Sequence, residues 1–286
     1  MLRFFLYGLY SGQLFFVAVL LFLAAAALDL AGSLRRIAGF VALLAIGLAC
    51  LGAPPLPIVF AVPALVATLA YAFFGFGARK VSRRALAAPA VAACVLAMAV
   101  ELPYHVKRPH VARPLRLFVI GDSLASGGFG EATTWPAVLG RETRVPVANL
   151  AVPSDDAAMA LESQIPRLPM APAGVECVIV EIGGNDMLDG TPLNEFATAL
   201  DGILAKASAA GRRNVIMLEI PLLPGRWGYG AIQRRLAAKH QSVLVPKRIL
   251  AGVLLGAGNT SDGIHLTQRG HDALARDLAA WLTWKS

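Results

Sequence analysis

The stretch LRLFVIGDS at residues 115–123 decides the fold. Its apolar core is short and ends in Gly121-Asp122-Ser123, so it reads as a buried strand that turns into a helix. VECVIVEIGGND at 175–186 repeats the pattern, an apolar run followed by Gly183-Gly184-Asn185-Asp186. VPVANLAVP (145–153), NVIMLEIPLL (214–223) and SVLVPKRIL (242–250) are further runs of this kind. Helical patterns lie among them: TTWPAVLGRE (133–142), AAMALESQI (157–165), FATALDGILAKAS (196–208) and IQRRLAAKH (232–240). The last element spans 268–282, with Ala, Leu and Trp at helical spacing behind Thr267 as its N-cap. Strands alternating with helices predict an α/β domain, a parallel sheet covered by helices on both faces. Its expected extent is residues 107–286.

Residues 1–106 have another character. The whole chain of 286 residues is 57% hydrophobic and 15% charged, with mean hydropathy +0.62. Soluble domains are close to half apolar and about a quarter charged. The excess is concentrated before residue 107. Residues 4–28 and 37–78 are free of charge, the second run broken by Pro54-Pro55-Leu56-Pro57, and residues 85–100 form a shorter apolar stretch containing Pro89. A bilayer crossing needs about 20 residues, so the region predicts four transmembrane helices. A cleaved signal peptide fits the first segment less well, because its apolar part is long and three more follow.

Charge sets the expected orientation. Arg35 and Arg36 follow the first segment, and Arg79, Lys80, Arg83 and Arg84 follow the third, whereas the proline turn carries no charge. Basic loops stay in the cytoplasm, which places the N-terminus and the α/β domain outside, in the periplasm or beyond the cell. Lys107, Arg108 and Arg113, close after the fourth segment, pull the other way. The bridge at 103–114 is short, so the domain is expected close to the bilayer. The net charge of +8 does not mark a nucleic-acid binder: seven Lys/Arg stand against two Asp/Glu up to residue 106, and nineteen against sixteen beyond it, with no basic stripe. Cys50, Cys94 and Cys177 form no CxxC pair, so neither a disulfide framework nor a zinc site is indicated.

In an open parallel sheet, ligands bind at the carboxyl ends of the strands. Those ends carry Gly121-Asp122-Ser123, residues 149–155, Gly183 to Asp186 and, before the last helix, Asp262-Gly263-Ile264-His265. Together they supply the parts of acyl transfer. Ser123 at a strand-to-helix turn is a candidate nucleophile, which needs a base to take its proton. His265 is the candidate base, and Asp262 can orient its ring. The Asn185 amide can donate to a developing oxyanion, with Gly183 and Gly184 leaving room for substrate.

GDS at 121–123, GGND at 183–186 and DGIH at 262–265 resemble blocks I, III and V of the SGNH (GDSL) hydrolase family. The resemblance covers 115–284 and none of the membrane segments. It implies a three-layer, flavodoxin-like domain in which Ser123 is the nucleophile, His265 the base and Asp262 its orienting acid. It also implies an oxyanion hole from the Ser123 N–H, the Asn185 side chain and a block II residue. The family usually places glycine at that block II position, which Ser154 occupies in NLAVPSDD. Serine also has the backbone N–H, although the required backbone angles suit it less. NVIMLEIPLL and the closing DGIHLTQRGHDALARDLAAWL are similar to the thioesterase/lysophospholipase/arylesterase branch.

Asp122 and Asp186 read as structural groups that tie loops by backbone hydrogen bonds, and His271 as solvated. His105, His110 and His240 have no carboxylate at a useful spacing. Gly127, Gly128 and Gly130 do not make GxGxxG, no GK[ST] follows, and GxSxG is absent. Asp29 and Glu101 stand at the edges of the membrane segments, with no buried ionisable residue expected between them. The expected function is a membrane-anchored serine esterase acting on a lipid or acylated envelope ester, with Gly184 beside the substrate and no metal or cofactor. An O-acyltransferase or O-acetylesterase of a surface polysaccharide would use the same triad. A catalytically silent binding module would have lost the nucleophile or the base, and both are present.

Overall fold

The computed structural model describes residues 2–31, 35–52, 54–77, 83–106, 111–127, 133–169, 175–208, 213–282 and 284–285. Arg79, Lys80, Lys107, Arg108, His110, Gly128 and Gly130 lie outside the described residues, as do the side chains of Arg35, Arg36, Arg83 and Arg84. The chain divides into two compact units, Met1–Val106 with Leu222–Trp227, and Lys107–Pro221 with Gly228–Ser286.

The first unit contains α1 (Leu2–Ser11), α2 (Gln13–Leu30), α3 (Arg35–Leu51), α4 (Ile58–Gly77), α5 (Arg83–Glu101) and α6 (Pro103–Val106). The first apolar segment is therefore two helices. Gly12 breaks it with φ 79, a left-handed conformation that glycine adopts without a Cβ penalty. Residues 54–57 separate α3 from α4, because three prolines remove the donors a helix would need. Among the described residues, two helices are long and apolar enough to cross a membrane, Gln13–Leu30 (18 residues) and Ala85–Val106 (22 residues); Ile37–Leu51 and Ile58–Phe73 are shorter apolar helices. The fourth segment is thus longer than its 16-residue apolar core, because the helical path runs on through Glu101 and α6.

Phe15, Val19 and Phe22 of α2 pack in one cluster with Ala42 and Tyr71 of α3 and α4 and with Ala90 of α5. Two expectations fail here. Asp29 and Glu101, at the ends of α2 and α5, are 3% and 0% exposed, so the expected absence of a buried ionisable residue does not hold. The Tyr71 hydroxyl donates to Asp29 at 3.1 Å, and Glu101 Oε1 lies 3.0 Å from His105 Nε2. Polar groups are tolerated in such an interior when they are partnered. His105, read from sequence as lacking a carboxylate, has one because Glu101 stands one helical turn before it.

The second unit begins with β1 (Val111–Ala112), β2 (Arg116–Gly121), α7 (Ser123–Ser126), α8 (Trp135–Thr143), β3 (Val147–Asn149) and α9 (Ala157–Ser163). Then come β4 (Glu176–Glu181), α10 (Gly184–Asp189), α11 (Leu193–Ser208), β5 (Asn214–Leu218) and α12 (Trp227–Lys239). The last elements are β6 (Val243–Val245), α13 (Lys247–Leu254), α14 (Gln268–Trp281) and β7 (Trp284–Lys285). Five strands form a parallel sheet in the order β3-β2-β4-β5-β6, and β1 pairs with β7. The sheet is parallel, as the sequence patterns predict, and its connectivity is the flavodoxin-like one that the family resemblance implies.

Both faces of the sheet are covered. Leu117, Val119, Cys177 and Ile179 belong to one core with Trp135 and Leu139 of α8 and the buried residues of α13 and α14. The alternate residues Phe118, Ile120, Val178 and Val180 are equally buried. Strands buried on both sides have no polar face, which is why they read as unbroken apolar runs. The connection reverses direction between β2 and β4, whose last residues Gly121 and Glu181 pair in register. At such a switch point the chain opens a crevice beyond the strand ends, and Ser123 and Asn185 follow the ends of these two strands.

Candidate active site

Ser123 opens α7 directly after β2 and is half-buried. Three contacts fix this turn. Asp122 accepts the Leu124 N–H at 2.9 Å, the Asn149 side chain donates to the Ala125 carbonyl at 2.8 Å, and Val152 N–H reaches the Gly121 carbonyl at 3.2 Å. Gln164, fully buried, acts as a further strand edge: its Oε1 takes the Gly121 N–H at 3.0 Å and its Nε2 donates to the Gly121 carbonyl at 2.8 Å. The same amide group donates to Asp155 Oδ2 at 2.8 Å. Gln164 thereby joins the turn that carries Ser123 to the loop after β3, a role that no sequence signal marks.

That loop holds Ser154 with φ 66. A left-handed conformation costs an L-residue roughly 1–2 kcal/mol, so this position favours the glycine that the resemblance implies there. Ser154 is exposed, and its N–H makes no hydrogen bond among the described residues. Ser154→Gly is expected to raise stability by at most about 1 kcal/mol, the relief being partly offset by the freer unfolded chain. Its ester turnover should be unchanged or higher, and Ser154→Ala should retain activity because the N–H remains. Urea unfolding and ester kinetics check both points; a large loss of turnover in the alanine variant would assign the hydroxyl a part in the chemistry.

After β4, Gly183 takes φ 110, and a Cβ there would lie 3.0 Å from the Phe196 ring. Asn185 follows in the first turn of α10 and donates through Nδ2 to the Asp155 carbonyl at 2.9 Å. Its second amide hydrogen remains for a ligand. A Cβ on Gly184 would lie 3.5 Å from Asp122 Oδ2, which puts that residue against the floor of the site. Asp186 accepts the Ala157 N–H at 3.0 Å, so both Asp122 and Asp186 tie loops as the sequence suggests. Burial pushes each of these carboxyls up to about 6 against the backbone hydrogen bonds that lower them.

The last strand-end segment supplies a histidine–carboxylate pair. Asp262 Oδ1 accepts the N–H groups of Ile264 and His265 at 2.9 and 2.8 Å, and Oδ2 lies 2.6 Å from His265 Nδ1. These bonds, the His265 ring first, hold the Asp262 carboxyl well below the usual carboxylate range. An ionised carboxylate can only accept, so Nδ1 carries the proton and Nε2 is left as the basic nitrogen. The side chains are 30% and 52% exposed, open to a ligand from solvent. The Asp122 carboxyl, next to Ser123, lies within electrostatic reach of the His265 ring, which lowers it. Exposed apolar side chains stand close to these groups in sequence: Ile264, Leu188 and Met159.

Two histidines differ from the sequence reading. His271 is buried, 1% exposed, and its Nδ1 accepts the Trp135 N–H at 3.2 Å, where Thr134 makes no side-chain cap. His240 meets Asp201 at 2.5 Å, a partner 39 residues away that the fold supplies and spacing cannot reveal. Among the described residues no group of three or more His, Cys, Asp and Glu side chains could hold a metal ion.

The model of the GDSL-like Lipase/Acylhydrolase family matches residues 119–273, more than half of the chain. Thioesterase 1/protease 1/lysophospholipase L1 of Escherichia coli (strain K12) is 29% identical over 156 residues, which cover 52% of this chain and 74% of that protein. A crystal structure of TesA superposes with TM-score 0.51 at 28% identity, covering 59% of this chain and 98% of its own. The psychrotrophic esterase EstA from Pseudoalteromonas sp., at 18% identity and TM-score 0.50 over 57% and 93% of the two chains, shares the fold.

Proposed function

The chain belongs to the GDSL-like Lipase/Acylhydrolase family, and from that premise we propose that it is a membrane-anchored serine esterase with Ser123, His265 and Asp262 as its triad. The enzyme class follows from the family; the residues, substrate and location are the further step. The observation that supports it most is the Asp262–His265 pair at 2.6 Å, which leaves Nε2 as the basic nitrogen of a ring that acts on the Asp122 carboxyl next to Ser123.

In the proposed reaction, His265 Nε2 takes the Ser123 hydroxyl proton as Oγ attacks the ester carbonyl carbon. The carbonyl oxygen becomes an oxyanion, and the N–H groups of Ser123 and Ser154 with the Asn185 amide donate to it. The imidazolium then gives its proton to the departing alcohol, leaving an acyl-Ser123. Water, deprotonated by the same nitrogen, hydrolyses the acyl-enzyme and returns the serine. Asp262 stabilises the ring while it carries the extra proton. No metal or cofactor enters any of these steps.

Exposed Ile264, Leu188 and Met159 support an apolar acyl group, and the apolar helices support a lipid or acylated envelope ester as substrate. A panel of p-nitrophenyl esters should therefore show kcat/KM rising with acyl length beyond acetyl; a strict preference for acetyl would favour an O-acetylesterase. Location has its own test. The charge pattern of the apolar segments supports four crossings with basic loops inside, which would put the catalytic unit outside the cytoplasm. A C-terminal alkaline phosphatase fusion should be active and a green fluorescent protein fusion dark. The reverse pattern would place Ser123 inside and remove envelope glycans from the substrate range.

A further inference from the structure

Gln164 takes no part in the reaction above, yet it is fully buried between the turn that carries Ser123 and the loop after β3. Both of its amide hydrogens are committed. Nε2 gives one to the Gly121 carbonyl and the other to Asp155 Oδ2, each at 2.8 Å, while Oε1 takes the Gly121 N–H at 3.0 Å. Gly121 presents a donor and an acceptor together, so an amide matches it where a carboxylate or an alkyl chain does not.

Asp155 is 7% exposed, and its Oδ2 also accepts the Ser163 hydroxyl at 2.8 Å. With the side chain fixed in this way, the Asp155 main-chain carbonyl accepts Asn185 Nδ2 at 2.9 Å. Two residues on, the Ala157 N–H meets Asp186 Oδ2 at 3.0 Å, so the segment 155–157 is tied twice to the start of α10. A continuous chain of hydrogen bonds thus runs from Gly121 through Gln164 and Asp155 to the Asn185 amide. The two hydrogens of that amide share one planar nitrogen. The hydrogen held by the Asp155 carbonyl therefore sets the direction of the other, which is the one available to an oxyanion.

We propose that Gln164 is a positioning residue for the oxyanion contact: through Asp155 it holds the Asn185 amide in register with the turn that carries Ser123. The inference rests on Ser123 as nucleophile and Asn185 as an oxyanion donor. Gln164 itself touches neither substrate nor reacting atoms. Because the contact it aligns is made when the oxyanion forms, its effect belongs in kcat and not in KM.

The test uses the full-length protein in detergent with a p-nitrophenyl ester. Asn185→Ala removes the donor and should lower kcat about 100-fold. Gln164→Met keeps a side chain of similar length and removes the polar contacts. The donor is then present but unaligned, so kcat should fall about tenfold with KM within about twofold. In the Asn185→Ala background the same methionine should cost less than about threefold, because the group it positions is gone. Asp155→Ala should match Gln164→Met. Asp155→Asn retains an oxygen for Gln164 and Ser163 and should bring kcat back to within about threefold of wild type.

A Gln164→Met protein with wild-type kcat would overturn the positioning role, even if its unfolding midpoint drops, since that is the result of a purely structural amide. A loss carried by KM, an equal loss with and without Asn185, or equal losses for alanine and asparagine at 155 would overturn it as well. If Asn185→Ala keeps wild-type kcat, the oxyanion role of Asn185 fails and this inference with it. A loss at Asn185 without one at Gln164 sinks the inference alone, and fluorophosphonate labelling reports on Ser123 independently. If Gln164→Met does not fold, the two Asp155 variants decide the matter.

Discussion

Ser123→Ala is expected to lower kcat/KM for an activated ester by about 10⁴-fold or more and to abolish labelling by a fluorophosphonate. The size follows from what the hydroxyl does. Without it no acyl-enzyme forms, and His265 and the oxyanion donors can only assist direct attack by water. A 10⁴-fold loss corresponds to about 5.5 kcal/mol of transition-state stabilisation. The substitution removes one half-buried oxygen at the start of a four-residue helix, and the turn is held by Asp122, Asn149 and Gln164 through bonds that do not involve it. The variant should therefore fold, with an unchanged unfolding midpoint. A folded Ser123→Ala protein that retains more than about a tenth of wild-type activity would remove Ser123 from the mechanism. Retained labelling alone would point to another reactive nucleophile.

What could be read from the sequence was what local chemistry writes into it. The strands β2 and β4 are legible because burial on both faces makes them continuous apolar runs, and the turns after them because glycine and aspartate interrupt those runs. Asp262 and His265 are three residues apart, so their pairing needs only a tight loop, and the loop is present. Residues that depend on the topology were not legible. Gln164 closes a helix like many polar residues, yet the fold brings it to Gly121, 43 positions earlier, where it replaces a missing strand neighbour. Glu181 looks like the polar end of a strand, and only the pairing of β4 with β2 puts its carboxyl against Gly121. His240 finds Asp201 in another helix, and Asp29 finds Tyr71 at a separation of 42. Gly12 is different: its signal was local, but an uninterrupted absence of charge on either side conceals a break in the backbone.

His265→Ala should be nearly as damaging as the serine substitution, and the contrast with His271 makes the assignment specific. Both histidines lie near the start of α14, and the sequence reading takes His265 as the base and His271 as solvated. His265 has Nδ1 fixed by Asp262, which leaves Nε2 as the basic nitrogen of a ring that is 30% exposed. His271 spends Nδ1 on the Trp135 N–H and is 1% exposed, and burial lowers its pKa, so it stays neutral in the interior. Removing the His265 ring leaves Ser123 without a proton acceptor, for a loss on the order of 10⁴-fold in kcat. Asp262→Asn should cost less, because the ring keeps its basicity and loses only its orienting acceptor. His271→Ala should act on stability instead: it strips the first N–H of α8 of its acceptor, a cost of about 1–3 kcal/mol. The folded fraction of that variant should turn over ester at close to the wild-type kcat. Unfolding midpoints measured beside kcat separate the two outcomes. If His265→Ala and His271→Ala give equal, small kinetic losses, neither ring is the base, and the proton of Ser123 must be taken by another group, with the adjacent Asp122, pushed up to about 6, as a candidate.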